Sequence, residues 1–141
     1  MLKLNPKQQF SIINLSTTKC WLKKYSSVSN CEHHFLPIIG KAHVAYISTG
    51  SVIGLSKINR IVEYYAKRPQ VQERLTRQIL NDLKAALNTE DVAVVVDAKH
   101  QCVTIRGIKD EESSTVTMEY SGKFLNEDVR KEFLGYVNME L

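Results

Sequence analysis

Asp91-Val92-Ala93-Val94-Val95-Val96-Asp97-Ala98-Lys99-His100-Gln101-Cys102-Val103-Thr104-Ile105-Arg106-Gly107 is the stretch densest in valine. β-branched residues suit a pleated, half-buried surface, so the stretch predicts a strand, and it alternates in character after Val96. Counting by two from Val94 puts Val96, Ala98, His100, Cys102, Thr104 and Arg106 on one face. Ahead of it, Val71, Leu75, Ile79, Leu83 and Leu87 form an apolar helical stripe, with Gln72, Glu73, Arg77 and Lys84 off it. Pro69 suits the first turn of that helix. An earlier helix is predicted from Ser56 as N-cap through Ile58, Ile61, Val62 and Tyr65, ending at Arg68-Pro69, where the pre-proline restriction acts.

Further out, His43-Val44-Ala45-Tyr46-Ile47 reads as a strand, closed by the turn-prone Ser48-Thr49-Gly50-Ser51. On the other side a polar turn at Lys109 to Glu112 leads to Ser113–Phe124, which alternates around Val116, Met118 and Tyr120 and predicts an antiparallel strand. Asn126–Val137 predicts a short closing helix. Residues 1–30 are rich in Lys, Ser, Asn and Thr, and Phe10–Leu15 is their one apolar cluster. The order implies an α+β fold: an antiparallel sheet with two consecutive helices on one face.

With 141 residues the chain suits one domain that folds without staples. Its 43% hydrophobic and 24% charged residues are those of a soluble globular protein, and no apolar run approaches the roughly 20 residues of a membrane span. No secretory signal is visible at the N-terminus, so a cytoplasmic location is expected. Three cysteines, Cys20, Cys31 and Cys102, cannot all pair with one another, which favours ligands, nucleophiles or buried apolar thiols over a disulfide framework. The net charge of +4 fits an anionic ligand and equally fits solubility.

Cys31-Glu32-His33-His34 places two potential ligands at Cys-x-x-His spacing, and His100 and Cys102 share a strand face. Four protein ligands would make a structural zinc site, and three would leave a position for water or substrate. His33 is a fifth candidate, and Glu32 suits a supporting role. Taken singly, a thiol is often a small buried apolar residue and a histidine is often merely hydrogen-bonded. Clustered twice, they point to metal. Ser56, Lys57 and Arg60 lie at a predicted helix start, where free N–H groups favour phosphate, although a solvated basic face explains Lys57 and Arg60 as well. Lys67, Arg68, Arg74 and Arg77 read as surface charge.

These residues resemble the GTP cyclohydrolase I family. The likeness runs through Cys31-Glu32-His33-His34-Phe35-Leu36-Pro37, Gly40-Lys41-Ala42-His43-Val44-Ala45-Tyr46-Ile47, Val52-Ile53-Gly54-Leu55-Ser56-Lys57 and Arg60-Ile61-Val62. It continues through Arg68-Pro69-Gln70-Val71-Gln72-Glu73-Arg74-Leu75-Thr76, Ala98-Lys99-His100-Gln101-Cys102, Arg106-Gly107, Ser114-Thr115-Val116-Thr117 and Glu132-Phe133-Leu134. The resemblance implies a zinc enzyme that opens the guanine ring of GTP, releases formate and forms dihydroneopterin triphosphate. It implies Cys31, His34 and Cys102 as Zn2+ ligands, with His33 and His100 as proton-transfer groups. Glu73 matches the guanine anchor, with Gln72 beside it, and Ser56, Lys57, Arg60 and Arg106 match positions that hold ribose and triphosphate. The implied fold is the tunnelling fold, assembled as an oligomeric barrel, typically a homodecamer of two pentamers, with no nucleic-acid or membrane partner.

Ile38 and Val103 depart from the family pattern by apolar exchange. Family members also carry a helical extension and a strand resembling Met-Val-x-Val-x-Asp-Ile ahead of the Cys-Glu-His-His block, and neither is recognisable in residues 1–30. Lys19-Cys20-Trp21-Leu22-Lys23-Lys24-Tyr25 can be back-translated so that an adjacent frame spells Met-Leu-Val-Glu-Glu-Ile. A frameshift or truncation would leave an atypical, poorly ordered segment before a catalytic domain at residues 31–141. Two alternatives follow: a nitrile reductase of the same fold, which would use a cysteine nucleophile and no zinc, and a catalytically impaired remnant that binds zinc or nucleotide.

Overall fold

A computed structural model describes residues 10–15, 18–31, 37–48, 55–100 and 113–138. The elements run β1 (Phe10–Leu15), β2 (Thr18–Cys31), β3 (Pro37–Ile47), α1 (Leu55–Ala66), β4 (Pro69–Gln70), α2 (Gln72–Leu87), β5 (Val92–His100), β6 (Thr115–Tyr120), a 3-10 turn (Gly122–Leu125) and α3 (Glu127–Asn138). The sheet order is β1-β2-β3-β5-β6, with antiparallel neighbours throughout, and β4 pairs in parallel with β2. The antiparallel α+β reading holds.

Alternation along β3 and β5 divides the core in two. Ala42, Val44 and Tyr46 of β3 and Val92, Val94, Val96 and Ala98 of β5 pack with Ile58, Ile61 and Val62 of α1 and Leu75, Ile79, Leu83 and Leu87 of α2. The two consecutive helices therefore cover one face. Ile79, Leu83, Val92 and Val94 are fully buried, and each such side chain stabilises by about 1.5–3 kcal/mol relative to exposure. The opposite face buries Ala45, Ile47, Ala93 and Val95 against Phe124 of the 3-10 turn and Phe133 of α3. Those two rings meet edge to face with centroids 5.7 Å apart. The closing helix thus covers part of the far side of the sheet.

Local chemistry explains the helix ends. Asn126 Oδ1 accepts from the Asp128 and Val129 amides at 2.9 and 3.3 Å, capping α3. Asn88 ends α2 in the left-handed region (φ 50°, ψ 45°), its amide returning to Lys84 O.

Several expectations shift. Pro69 does not begin α2: it sits on β4 opposite Asn30, and Val71, extended at φ −96° and ψ 134°, precedes the helix. A proline lacking N–H is tolerated on so short a strand, and its neighbour then turns into the helix. Helix α1 starts at Leu55, one residue before Ser56, so Ser56 stands in the first turn and not at the cap. On β6, Val116 and Met118 point away from α1 and α2 and are about half exposed, at 47% and 46%. Residues without a clean apolar period form β1 and β2, where eleven β2 residues, Cys20 to Asn30, pair with β3. Main-chain hydrogen bonding suffices for that ladder. The predicted turn at Lys109–Glu112 and the strand beyond His100 lie outside the described residues.

Candidate active site

The register converges on one end of the sheet. Ile38, near the start of β3, pairs with Ser29 of β2 on one side and with His100 of β5 on the other. β2 and β5, both antiparallel to β3, run the same way and reach Cys31 and His100 at this end. Cys31 also pairs with Gln70, two residues before α2 begins at Gln72. Segments far apart in sequence thus bring Cys31, Gln70, Gln72, Glu73 and His100 to one corner.

Gln72 is the corner's anchor, only 1% exposed. Its Nε2 donates to Val96 O at 3.1 Å, Thr115 O at 2.8 Å and Thr117 Oγ1 at 3.2 Å. Its Oε1 stands 2.6 Å from His100 Nε2. Thr76, one turn along α2, donates its hydroxyl to Gln72 O at 2.8 Å and touches Thr117 Oγ1 at 2.6 Å. His100 lies on the helix-covered face, as counting by two predicts, and is partly buried. Burial holds its imidazole below the usual histidine range, opposed by the negative charge of nearby Glu73. A ring poised to be neutral at pH 7 can accept a proton in a reaction.

Gln70 is 2% exposed, and its Nε2 donates to Tyr65 O and Gln78 Oε1, both at 3.0 Å. Its Oε1 is buried and has no hydrogen-bond partner among the described residues.

Glu73 is exposed in the first turn of α2. Lys57 and Arg60 are exposed on α1, one helical turn apart, with Ser56 in the same first turn. His33, His34, Cys102 and Arg106 lie outside the described residues. Of the three implied zinc ligands only Cys31 is described, at the end of β2 on this corner, a position that fits one contributor. Among the described residues no three His, Cys, Asp or Glu groups gather to hold a metal ion, and no helix is long and apolar enough to cross a membrane. Gln70, Thr76 and Thr117 are site residues that reading the sequence missed. Thr76, four residues after Gln72 and so on its helix face, was the available signal.

An antiparallel sheet with two consecutive helices on one face is the architecture of a tunnelling-fold protein. The crystal structure of the archaeosine synthase QueF-Like in the apo form matches with a TM-score of 0.61 at 23% identity, over 73% of this chain and 93% of that one, a likeness of fold. The family model described as GTP cyclohydrolase I matches residues 4–138. A GTP cyclohydrolase 1 of Flavobacterium johnsoniae is 67% identical over 118 residues, covering 84% of this chain and 53% of that protein. Those of Aeromonas salmonicida (56% over 115 residues; 81% and 53%) and Haemophilus influenzae (59% over 110; 77% and 50%) agree. The chain belongs to the GTP cyclohydrolase I family. It spans about half the length of the curated relatives it matches.

Proposed function

We propose that this chain carries GTP cyclohydrolase I activity: hydrolytic opening of the guanine imidazole ring of GTP, release of formate and formation of 7,8-dihydroneopterin triphosphate, the first step of folate and pterin biosynthesis. The observation that carries this reading is the partly buried His100 ring, held by Gln72 at the start of the helix whose next residue is Glu73. A proton-transfer imidazole and a carboxylate suited to guanine thereby share one corner.

Glu73 is the guanine anchor, its carboxylate accepting from the N–H groups of the base. Adenine would leave such a carboxylate unpaired, which is how polar sites reject near-isosteres. Ser56, Lys57, Arg60 and Arg106 hold ribose and triphosphate, the exposed Lys57 and Arg60 lying close to the start of α1. His33 and His100 transfer protons to and from the opening ring and the ribose. Cys31, His34 and Cys102 are the residues that would hold zinc, two thiolates and an imidazole being a donor set that leaves the fourth position open. When bound there, zinc supplies a lowered pKa to water for hydrolysis at neutral pH.

Residues 31–141 form the catalytic domain and 1–30 an atypical lead segment, and the protein works in the cytoplasm. It self-associates as a homodecamer of two pentamers. Half-exposed Ile39, Val116 and Met118 on the open part of the sheet support self-association. The test is GTP turnover by zinc-replete protein of measured mass, read as released formate and as pterin fluorescence after oxidation. Both products from wild type, with at least a tenfold loss in Glu73→Gln, are expected, and metal-replete protein yielding neither product would overturn the reading.

A further inference from the structure

The Gln72 amide can sit only one way round. Its nitrogen faces Val96 O at 3.1 Å and Thr115 O at 2.8 Å, and a carbonyl oxygen only accepts. That atom is therefore the NH2 group, and the side-chain oxygen 2.6 Å from His100 Nε2 is an acceptor. Two acceptors cannot share so short a contact, so the proton lies on His100 Nε2. In the neutral ring the lone pair then belongs to Nδ1.

Two threonines lock this orientation. Thr76 Oγ1 gives its one proton to Gln72 O at 2.8 Å, so at the 2.6 Å contact the donor must be Thr117. The Thr117 oxygen remains able to accept from Gln72 Nε2 at 3.2 Å. Amide, hydroxyl, hydroxyl and carbonyl close a ring with one donor sense, the two amide protons serving three acceptors with one of them shared, buried where unpaired groups cost most.

We propose that Gln72 is a positioning residue that, backed by Thr76 and Thr117, holds His100 as the Nε2–H tautomer and so fixes the ring's orientation at this corner with the lone pair on Nδ1. The tautomer stands on geometry alone. Its use in turnover rests on the cyclohydrolase reading.

The test combines ring-nitrogen NMR of protein labelled with 15N-histidine and steady-state kinetics of Gln72→Met, Thr117→Val and Thr117→Ser. His100 in wild type shows a protonated Nε2 and an unprotonated Nδ1, and Gln72→Met gives mixed tautomers. Because acid–base catalysis is commonly worth 10²–10⁴-fold, partial loss of the tautomer lowers kcat by about 10- to 100-fold, with KM for GTP within about threefold. Thr117→Val, which keeps the side-chain shape, falls in the same direction, and Thr117→Ser restores kcat, an outcome a purely structural role would not give. A wild-type ring carrying its proton on Nδ1 overturns the proposal, as does an active protein whose Gln72→Met and Thr117→Val variants keep kcat within twofold. An inactive protein with the Nε2–H tautomer defeats the cyclohydrolase reading and leaves the tautomer assignment standing.

Discussion

Replacing glycine by alanine at two positions should move stability in opposite directions. Gly40 lies in β3 opposite Ala98 of β5. A Cβ on it would fall 2.2 Å from Asp97 O and 2.5 Å from both Cα and Cβ of Ala98. The obstructing atoms are mostly backbone of the paired strand, so relief requires the strands to part by about 1 Å, enough to stretch a 2.9 Å hydrogen bond out of range. Overpacking costs about 1–3 kcal/mol and each lost ladder bond about 1 kcal/mol, so Gly40→Ala should cost about 3 kcal/mol. Gly135 lies at an exposed position of α3, where an added Cβ would meet no atom of the described residues within 4 Å. There alanine removes only glycine's entropic penalty and should stabilise by about 0.5–1 kcal/mol. Urea unfolding followed by circular dichroism reads both, with midpoints moving at constant slope. A thermal midpoint lower by roughly 10 °C is expected for Gly40→Ala. Because Gly40 is two residues from Ile38, the partner of His100, its turnover should fall too. Midpoints that coincide with wild type, or that shift the same way in both variants, would refute the reasoning.

Leu83→Ala, at a fully buried position between α2 and the sheet, should cost about 2–5 kcal/mol in the same assay, with a near-neutral result contradicting the packing described. Asn126→Ala removes the side-chain acceptor for the Asp128 and Val129 amides and should cost about 1 kcal/mol, most of it recovered in Asn126→Asp. Burial raises the Tyr120 phenol above its usual value, partly offset by Arg130, whose guanidinium lies 5.6 Å from the ring centre. The unfolded chain therefore ionises first, and stability declines as pH climbs from about 10 through the folded pKa. Thermal midpoints across that range should fall less steeply in Tyr120→Phe.

Much of the frame was legible because burial imposes periodicity. Leu75, Ile79, Leu83 and Leu87 recur every four residues and are all buried, and Val94 and Val96 of β5 occupy the predicted face. The N-terminal strands escaped detection because main-chain pairing, of β1 to β2 and of β2 to β3, leaves no obligatory apolar period. Pro69 suited a helix start by its fixed φ, yet pairing with Asn30 placed it on β4. On β6 the apolar residues misled in another way: they face the half-open side, while Thr117 faces Gln72. Within the site, His100 and Glu73 could be named from motifs. The engagement of Gln72 with Val96, Thr115 and Thr117 depends on contacts 24 to 45 residues apart, which spacing cannot reveal.

The central claim, that this corner of the sheet belongs to a GTP cyclohydrolase, is tested most directly by incubating the zinc-replete protein with GTP and measuring formate and oxidised pterin together. Equimolar formate and pterin, lost on chelation and restored by zinc, is the predicted result. Zinc-bound, folded protein that leaves GTP intact would contradict it.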